Sequence, residues 1–303
     1  MTGYLHAEYA KSLEEFGYPY LLSKSQGWIL DREIAGSAYR DAINCYPLFS
    51  CKNWSEIGED LESLKENELV TLSVVTDPFG NYDIKHLHKY FNYKVIPFKE
   101  HFVVDTSRPL DSFVANHHRR YAHKALQNIQ VEKCQEPMKF IHDWIKLYDV
   151  LVQRHNIQGI SAFSEQSFIR QLQVPGILMF RAVHQEITVG ITLWYIHSDV
   201  GYYHLGAYSD VGYQLRASFA LFWSAIEYFS SYQLPWLSLG AGAGIQSDET
   251  DGLTRFKQGW ATGTKTAYFC GHIFDEQKYK ELVDIKDIPG TDYFPAYRKG
   301  EFG

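Results

Sequence analysis

"DGLTRFKQGWATGT", Asp251 to Thr264, sets one lysine, Lys257, between Phe256 and the Gln-Gly-Trp of residues 258–260. Apolar stretches flank it: "WLSLGAGAG" (Trp236–Gly244) before and "TAYFCGHIF" (Thr266–Phe274) after. A lysine in such company costs free energy unless its charge is paired or used. Phe256 and Trp260 are four apart, so on a short helix they share a face and anchor it to a core. Lys257 then projects about 100° away from that face. The spacing predicts its amine at the open end of the "WLSLGAGAG" strand, at the rim of a cleft.

Working outward, the second half of the chain reads helix, helix, strand, strand, strand, long helix, strand, short helix, strand. "PMKFIHDWIKLYDVLVQRHN" repeats apolar residues at helical spacing. "GILMFRAVHQEITVGITLWYIHSDVGYYHLGAYS" reads as three strands joined by "HQE" and "HSD". "YQLRASFALFWSAIEYFSSYQ" is apolar nearly all round, which predicts a buried helix. A charged helix, "DEQKYKELVDI", follows the last strand. The first half repeats a looser version of this pattern. "SEIGEDLESLKEN" reads as a helix capped by Ser55, and "LVTLSVVT" as a buried strand ended by "DPFGN". "VIPFKEHFVVDT" reads as another strand, and "PLDSFVANHHRRYAHKALQN" as a five-turn helix entered through Pro109 and Asp111. The boundary is expected near Cys134 to Met138. Past the turn "DIPG", the tail "DYFPAYRKGEFG" carries Tyr293, Phe294 and Tyr297, which are expected to pack back on the protein.

The 303 residues carry a formal charge of −7, which argues against general DNA binding, because phosphate contacts need clustered Lys and Arg. Binding of tRNA stays open but is not favoured by that charge. Aromatic residues reach 16%, which suggests large cores or aromatic-lined grooves. No apolar run is long enough for a membrane span, and the start lacks a signal-peptide pattern. Four cysteines without C-x-x-C spacing read as reduced thiols of a cytoplasmic protein. No Gly-x-Ser-x-Gly elbow, P-loop, Rossmann fingerprint or zinc motif is present, and no metal is expected.

The order of the second half is that of an N-acetyltransferase (GNAT) unit. Over "YYHLGAYSD … FALFWSAIEYF … WLSLGAGAG … DGLTRFKQGWATGT" the chain resembles the Fem family of peptidoglycan-bridge aminoacyltransferases and their GNAT-like relatives. The shared segment is Gly252, Leu253, Phe256, Lys257, Gly259 and Trp260. In the first half, "HHRRYAHKALQNIQVE" resembles the family's Arg-rich helix. The resemblance covers about Cys134 to Phe274, is thinner over Ser55 to Cys134, and is absent before about Gly27. It implies an α+β fold of two tandem GNAT-like units with a cleft between them. Residues 1–134 would form a degenerate N-terminal unit and 135–303 a C-terminal unit with a tail.

The resemblance also implies acyl or aminoacyl transfer to an amine or hydroxyl of a cell-envelope precursor or glycan. The acceptor would be a small molecule, glycan or peptide. The donor co-substrate would be acyl-CoA or aminoacyl-tRNA, with no resident cofactor. The alternative is a GNAT-like protein that has lost catalysis and binds a ligand or partner. One departure bears on this choice. Acetyl-CoA enzymes of the superfamily carry a Gly-rich turn whose N–H groups hold pyrophosphate. Here "SDVGYQLRASF" offers Gly212, then Gln214 and Arg216, without a second glycine at that spacing.

Several residues carry a functional and a structural reading side by side. Lys257 would stabilise an oxyanion, or snorkel to a surface carboxylate. Tyr202, His204, Gly206 and Tyr208 alternate along a strand and so share a face. His204 would be a general base there, or a hydrogen-bonded core histidine. Asp77 would orient a substrate amine or act as a base, or make an Asp-Pro turn. Gly242 in "GAGAG" would let substrate approach the backbone, or relieve crowding. Arg120 and Lys124 share a helix face that would hold a phosphate, or meet solvent. Phe256, Trp260, Tyr202, Tyr208, Gly212 and Arg216 complete the expected substrate contacts.

Overall fold

A computed structural model describes residues 1–242, 251–286 and 290–301. Ala243 and Gly244 of the glycine run, and residues 287–289 of the expected turn before the tail, lie outside the described residues. The strands are β1 (Tyr18–Leu21), β2 (Trp28–Glu33), β3 (Arg40–Asn44), β4 (Leu69–Val75), β5 (Lys94–Asp105), β6 (Gln130–Cys134), β7 (Ile177–His184), β8 (Ile187–His197), β9 (Val200–Tyr208), β10 (Trp236–Gly240) and β11 (Gly263–Ile273).

The chain divides into two compact units that exchange segments. One, the lysine unit, comprises Met1–Gly3, Lys99–Ile157 and Phe168–Lys265. The other, the tail unit, comprises Tyr4–Phe98, Gln158–Ser167 and Thr266–Gly303. The sequence expectation put a boundary near Cys134. Residues 99–134 instead cluster with 168–265, because β5 pairs with β10 and β6 with β7.

In the lysine unit the strand order is β5-β10-β9-β8-β7-β6. β6 to β9 pair antiparallel; short turns join β7 to β8 and β8 to β9, and Gln185, Glu186 and Ser198 take the positive φ that such turns need. β9 and β10 are parallel, so a crossover must join them; the Ala217–Ser231 helix provides it. That helix is apolar nearly all round because it is buried nearly all round: Ala217, Leu221, Phe222, Ala225, Ile226 and Phe229 are fully buried. The tail unit repeats the scheme in the order β1-β2-β3-β4-β11. An antiparallel run ends in a parallel β3–β4 step spanned by the Ile57–Leu64 helix.

Two expected helices differ in detail. Residues 109–128 do not form one helix of five turns. Val114 and Ala115 are extended between a Leu110–Phe113 turn and the Asn116–Leu126 helix. Burial of Val114 and a bond from Ala115 N to Gly259 O at 2.9 Å outweigh the local helix preference there. Ser55 does not cap its helix either. It lies inside a 3-10 turn, Trp54–Glu56, which leads into Ile57–Leu64. The tail packs as expected: Phe294 and Tyr297 are buried and Tyr293 is half-buried. Asp41, fully buried in β3, accepts bonds from Arg298 Nε (2.9 Å), Arg298 Nη2 (2.9 Å), Tyr297 Oη (3.1 Å) and Arg32 Nε (3.2 Å).

Candidate active site

β9 and β10 pair over only Val200–Tyr202 and Trp236–Ser238. Past Ser238 the two strands part, while β9 continues against β8 to Tyr208. A parallel pair that stops after three residue pairs leaves a gap at the C-terminal end of β10. Among the described residues no ladder bond joins β9 to β10 beyond that point.

Lys257 points its charge to that end. The Gly252–Gln258 helix begins at Asp251, whose carboxylate accepts from Leu253 N (2.9 Å), Thr254 N (2.9 Å) and Thr254 Oγ1 (2.7 Å). Phe256 and fully buried Trp260 fix the helix on an aromatic cluster with Phe219, Phe222 and His118. Lys257 is 6% exposed, and its Nζ donates to Ala241 O at 2.6 Å, just past the end of β10. Gly240 takes φ +76°, and a β-carbon there would stand 3.1 Å from Lys257 Nζ. Burial pulls the Lys257 ammonium down to about 7; the Asp251 carboxylate opposes this and the Lys99 charge adds to it.

Around the amine stand groups that sequence reasoning did not single out. Lys99 and His101 are both buried on β5, two apart and so on one face. That spacing within "KEHF" was the available signal. His101 Nδ1 lies 3.5 Å from Ser238 Oγ. Burial, with the charges of Lys257 and Lys99, pulls the His101 imidazole down to about 3. The Tyr203 ring centroid is 5.7 Å from Lys257 Nζ. Tyr203 and Tyr208 are hydrogen-bonded to each other through their hydroxyls. They meet above Gly206, where any side chain would overlap the Tyr203 oxygen.

The expected shared face of Tyr202, His204, Gly206 and Tyr208 is corrected by a bulge. Leu193 pairs with Leu205 but Trp194 pairs with Tyr203, so His204 is an extra residue in β9. Tyr203 therefore joins Gly206 and Tyr208 on one face, and Tyr202 and His204 belong to the other. Tyr202 stacks on His197 at 5.8 Å. His204 Nε2 shares a bond with Gln171 Oε1 at 3.0 Å, its ring packs on Tyr195, and burial pulls it down to about 3. That geometry fits the reading of a hydrogen-bonded core histidine.

The remaining expected residues divide. Trp260 and Phe256 anchor the Lys257 helix. Gly242 packs so tightly on Thr254 that a β-carbon would overlap its hydroxyl. Gly212 donates its N–H to Ser209 Oγ at 3.1 Å, and its Cα sits against Val189 O. This N–H is thus spent on capping the turn. Arg216 lies 3.6 Å over the Tyr121 ring and Arg120 lies 5.4 Å from the same ring. Lys124 is exposed on that helix. Asp77 belongs to the tail unit. It accepts from Phe79 N (2.9 Å), the bond of an Asx turn, and from Ser50 Oγ (2.7 Å). Among the described residues no cluster of His, Cys, Asp and Glu could hold a metal, and no helix is long and apolar enough to cross a membrane.

No protein-family model matches the chain, and no curated protein matches it. Solved structures do. FemX is 12% identical, with a TM-score of 0.63 over 91% of this chain and 93% of its own. L-PGS from Bacillus licheniformis is 13% identical, with a TM-score of 0.61 over 96% of this chain and 99% of its own. These likenesses, with the parallel step repeated in each unit, give the chain an α+β fold like that of FemX, with the same strand scheme in both units.

Proposed function

We propose that the protein is an acyl- or aminoacyl-transferase whose reaction centre is the gap past β10. The observation that supports this is the Lys257 amine, buried and held on Ala241 O where the parallel strands part. An amine or hydroxyl of the acceptor attacks the carbonyl carbon of a thioester or ester donor. Its lone pair forms the new C–N or C–O bond, and the carbonyl electrons move onto oxygen. The Lys257 ammonium faces that oxyanion; one such donor is typically worth about 3 kcal/mol of barrier. Collapse breaks the donor's C–S or C–O bond, and the acceptor's proton leaves with the thiol or alcohol. No covalent intermediate on the enzyme is required. Near neutral pH Lys257 is a mixture of ammonium and amine.

The acceptor in this reading is a cell-envelope precursor, glycan or peptide in the cytoplasm. FemX and L-PGS, as folds, are compatible with it. The donor is aminoacyl-tRNA rather than acyl-CoA, because the Gly212 N–H that would face a pyrophosphate is already bonded. The same observation favours a second reading, a ligand-binding protein that no longer transfers. A screen decides: acyl-CoAs and aminoacyl-tRNAs are incubated with the protein and amine acceptors, and products are read by mass spectrometry. Transfer by the native chain that Lys257→Met reduces by two or more orders of magnitude supports the proposal. Donor binding without transfer by either protein supports the second reading.

A further inference from the structure

The gap holds a cation that the transfer step leaves unused. Lys99 is 8% exposed, and its Nζ is fully buried with no hydrogen-bond partner among the described residues. A buried ammonium with three donor positions and no acceptor is costly unless something answers it. Among the described residues the carboxylate that answers it is Asp251, which acts electrostatically on both Lys99 and Lys257. Its oxygens are already occupied by Leu253 N, Thr254 N and Thr254 Oγ1. Lys257 gives one bond to Ala241 O. His101, next on the same face of β5, adds no negative charge. Among the described residues, two ammonium groups therefore stand beside one carboxylate that is committed to capping a helix.

We propose that Lys99, beside Lys257, is the seat of an oxyanion carried by the substrate, a carboxylate or a phosphate group close to the reacting carbonyl. This rests on reading the Lys257 gap as the transfer site. A lysine suits the task, since its compact charge takes either a planar or a tetrahedral oxyanion. The seat deepens the substrate assignment: the molecule that reacts at Lys257 is anionic within a few bonds of its nucleophile or its acyl carbon. Lys99 binds and orients; it takes no part in bond making.

The test uses the full chain with 15N-labelled lysine and two probes, sodium acetate and inorganic phosphate. Side-chain amine resonances are followed during each titration, with Lys99 assigned from Lys99→Arg. The expected result is a saturable shift of the Lys99 and Lys257 resonances with at least one probe. In Lys99→Met the Lys257 response weakens about tenfold or more, the loss of one charge-assisted contact. Lys99→Arg retains it. A response to phosphate alone assigns a phosphate-bearing substrate, and a response to acetate alone a carboxylate. No saturable shift of Lys99 with either probe overturns the proposal, as does a Lys257 response that survives in Lys99→Met. Should Lys99→Met fail to fold, the native titration decides by itself. Saturable oxyanion binding by a chain that transfers nothing would keep the seat and remove the transferase reading. Transfer without any oxyanion response would do the reverse.

Discussion

Replacing Lys257 with methionine should raise stability while removing activity. The amine's ordinary value of 10.5 falls to about 7 in the folded chain, chiefly through burial. At about 1.4 kcal/mol per pH unit, that is on the order of 5 kcal/mol of cost whenever the folded protein carries the charge. Between about pH 7 and 10.5 the unfolded chain keeps the proton and the folded chain releases it. The unfolded state then binds one more proton, so stability climbs with pH across that window and the cost is fully present below it. Methionine fills similar space without charge. It forfeits the bond to Ala241 O, worth about 1–3 kcal/mol for a charged donor. The balance at pH 6 is a gain of roughly 2 kcal/mol or more. Urea melts of both proteins at pH 6, 7.5 and 9 measure it. The native chain should gain on the variant as pH rises, by up to about 1.4 kcal/mol per unit. Parallel pH dependences for the two proteins would refute the reasoning, because a freely solvated lysine gives no such difference.

Three further outcomes are expected. Asp41→Ala strands Arg32 and Arg298 without their buried carboxylate and should cost about 3–5 kcal/mol, read by chemical denaturation. His101 and His204, both pulled to about 3, should show no imidazole titration by NMR between pH 7 and 4.5. The unfolded chain takes up those protons near 6.5, so both contribute to a loss of stability as pH falls below that value. Gly206→Ala drives a β-carbon into the Tyr203 hydroxyl and should cost about 1–3 kcal/mol, with a change in the tyrosine near-UV circular dichroism.

The parts of this fold written in local pattern were readable. Residues 177–208 alternate and carry turn residues at the needed positions, so three strands were expected and are present. Phe256 and Trp260 at helical spacing located the Lys257 helix and its anchor. What depends on distant partners was not readable. Nothing in "FVANHH" says that Ala115 will donate to Gly259, so the helix break at Val114 was missed. Strict alternation along β9 assigned Tyr202 and His204 to the wrong neighbours, because a bulge is set by the pairing with β8 and not by composition. Lys99 sits in a short charged run that looks solvated in isolation. It is nonetheless buried on β5, three residues beyond the stretch that pairs with β10.

The bulge at His204 has a further effect on how β9 can vary. Up to Tyr202 the strand is stitched on both edges, to β8 and to β10, so a change there must satisfy two neighbours at once. From Leu205 to Tyr208, among the described residues, ladder bonds stitch only the β8 edge. The one extra residue thus works like an expansion joint. Changes in the second half of the strand, Gly206 excepted, can therefore reach the lining of the gap while the seam between β9 and β10 stays in register.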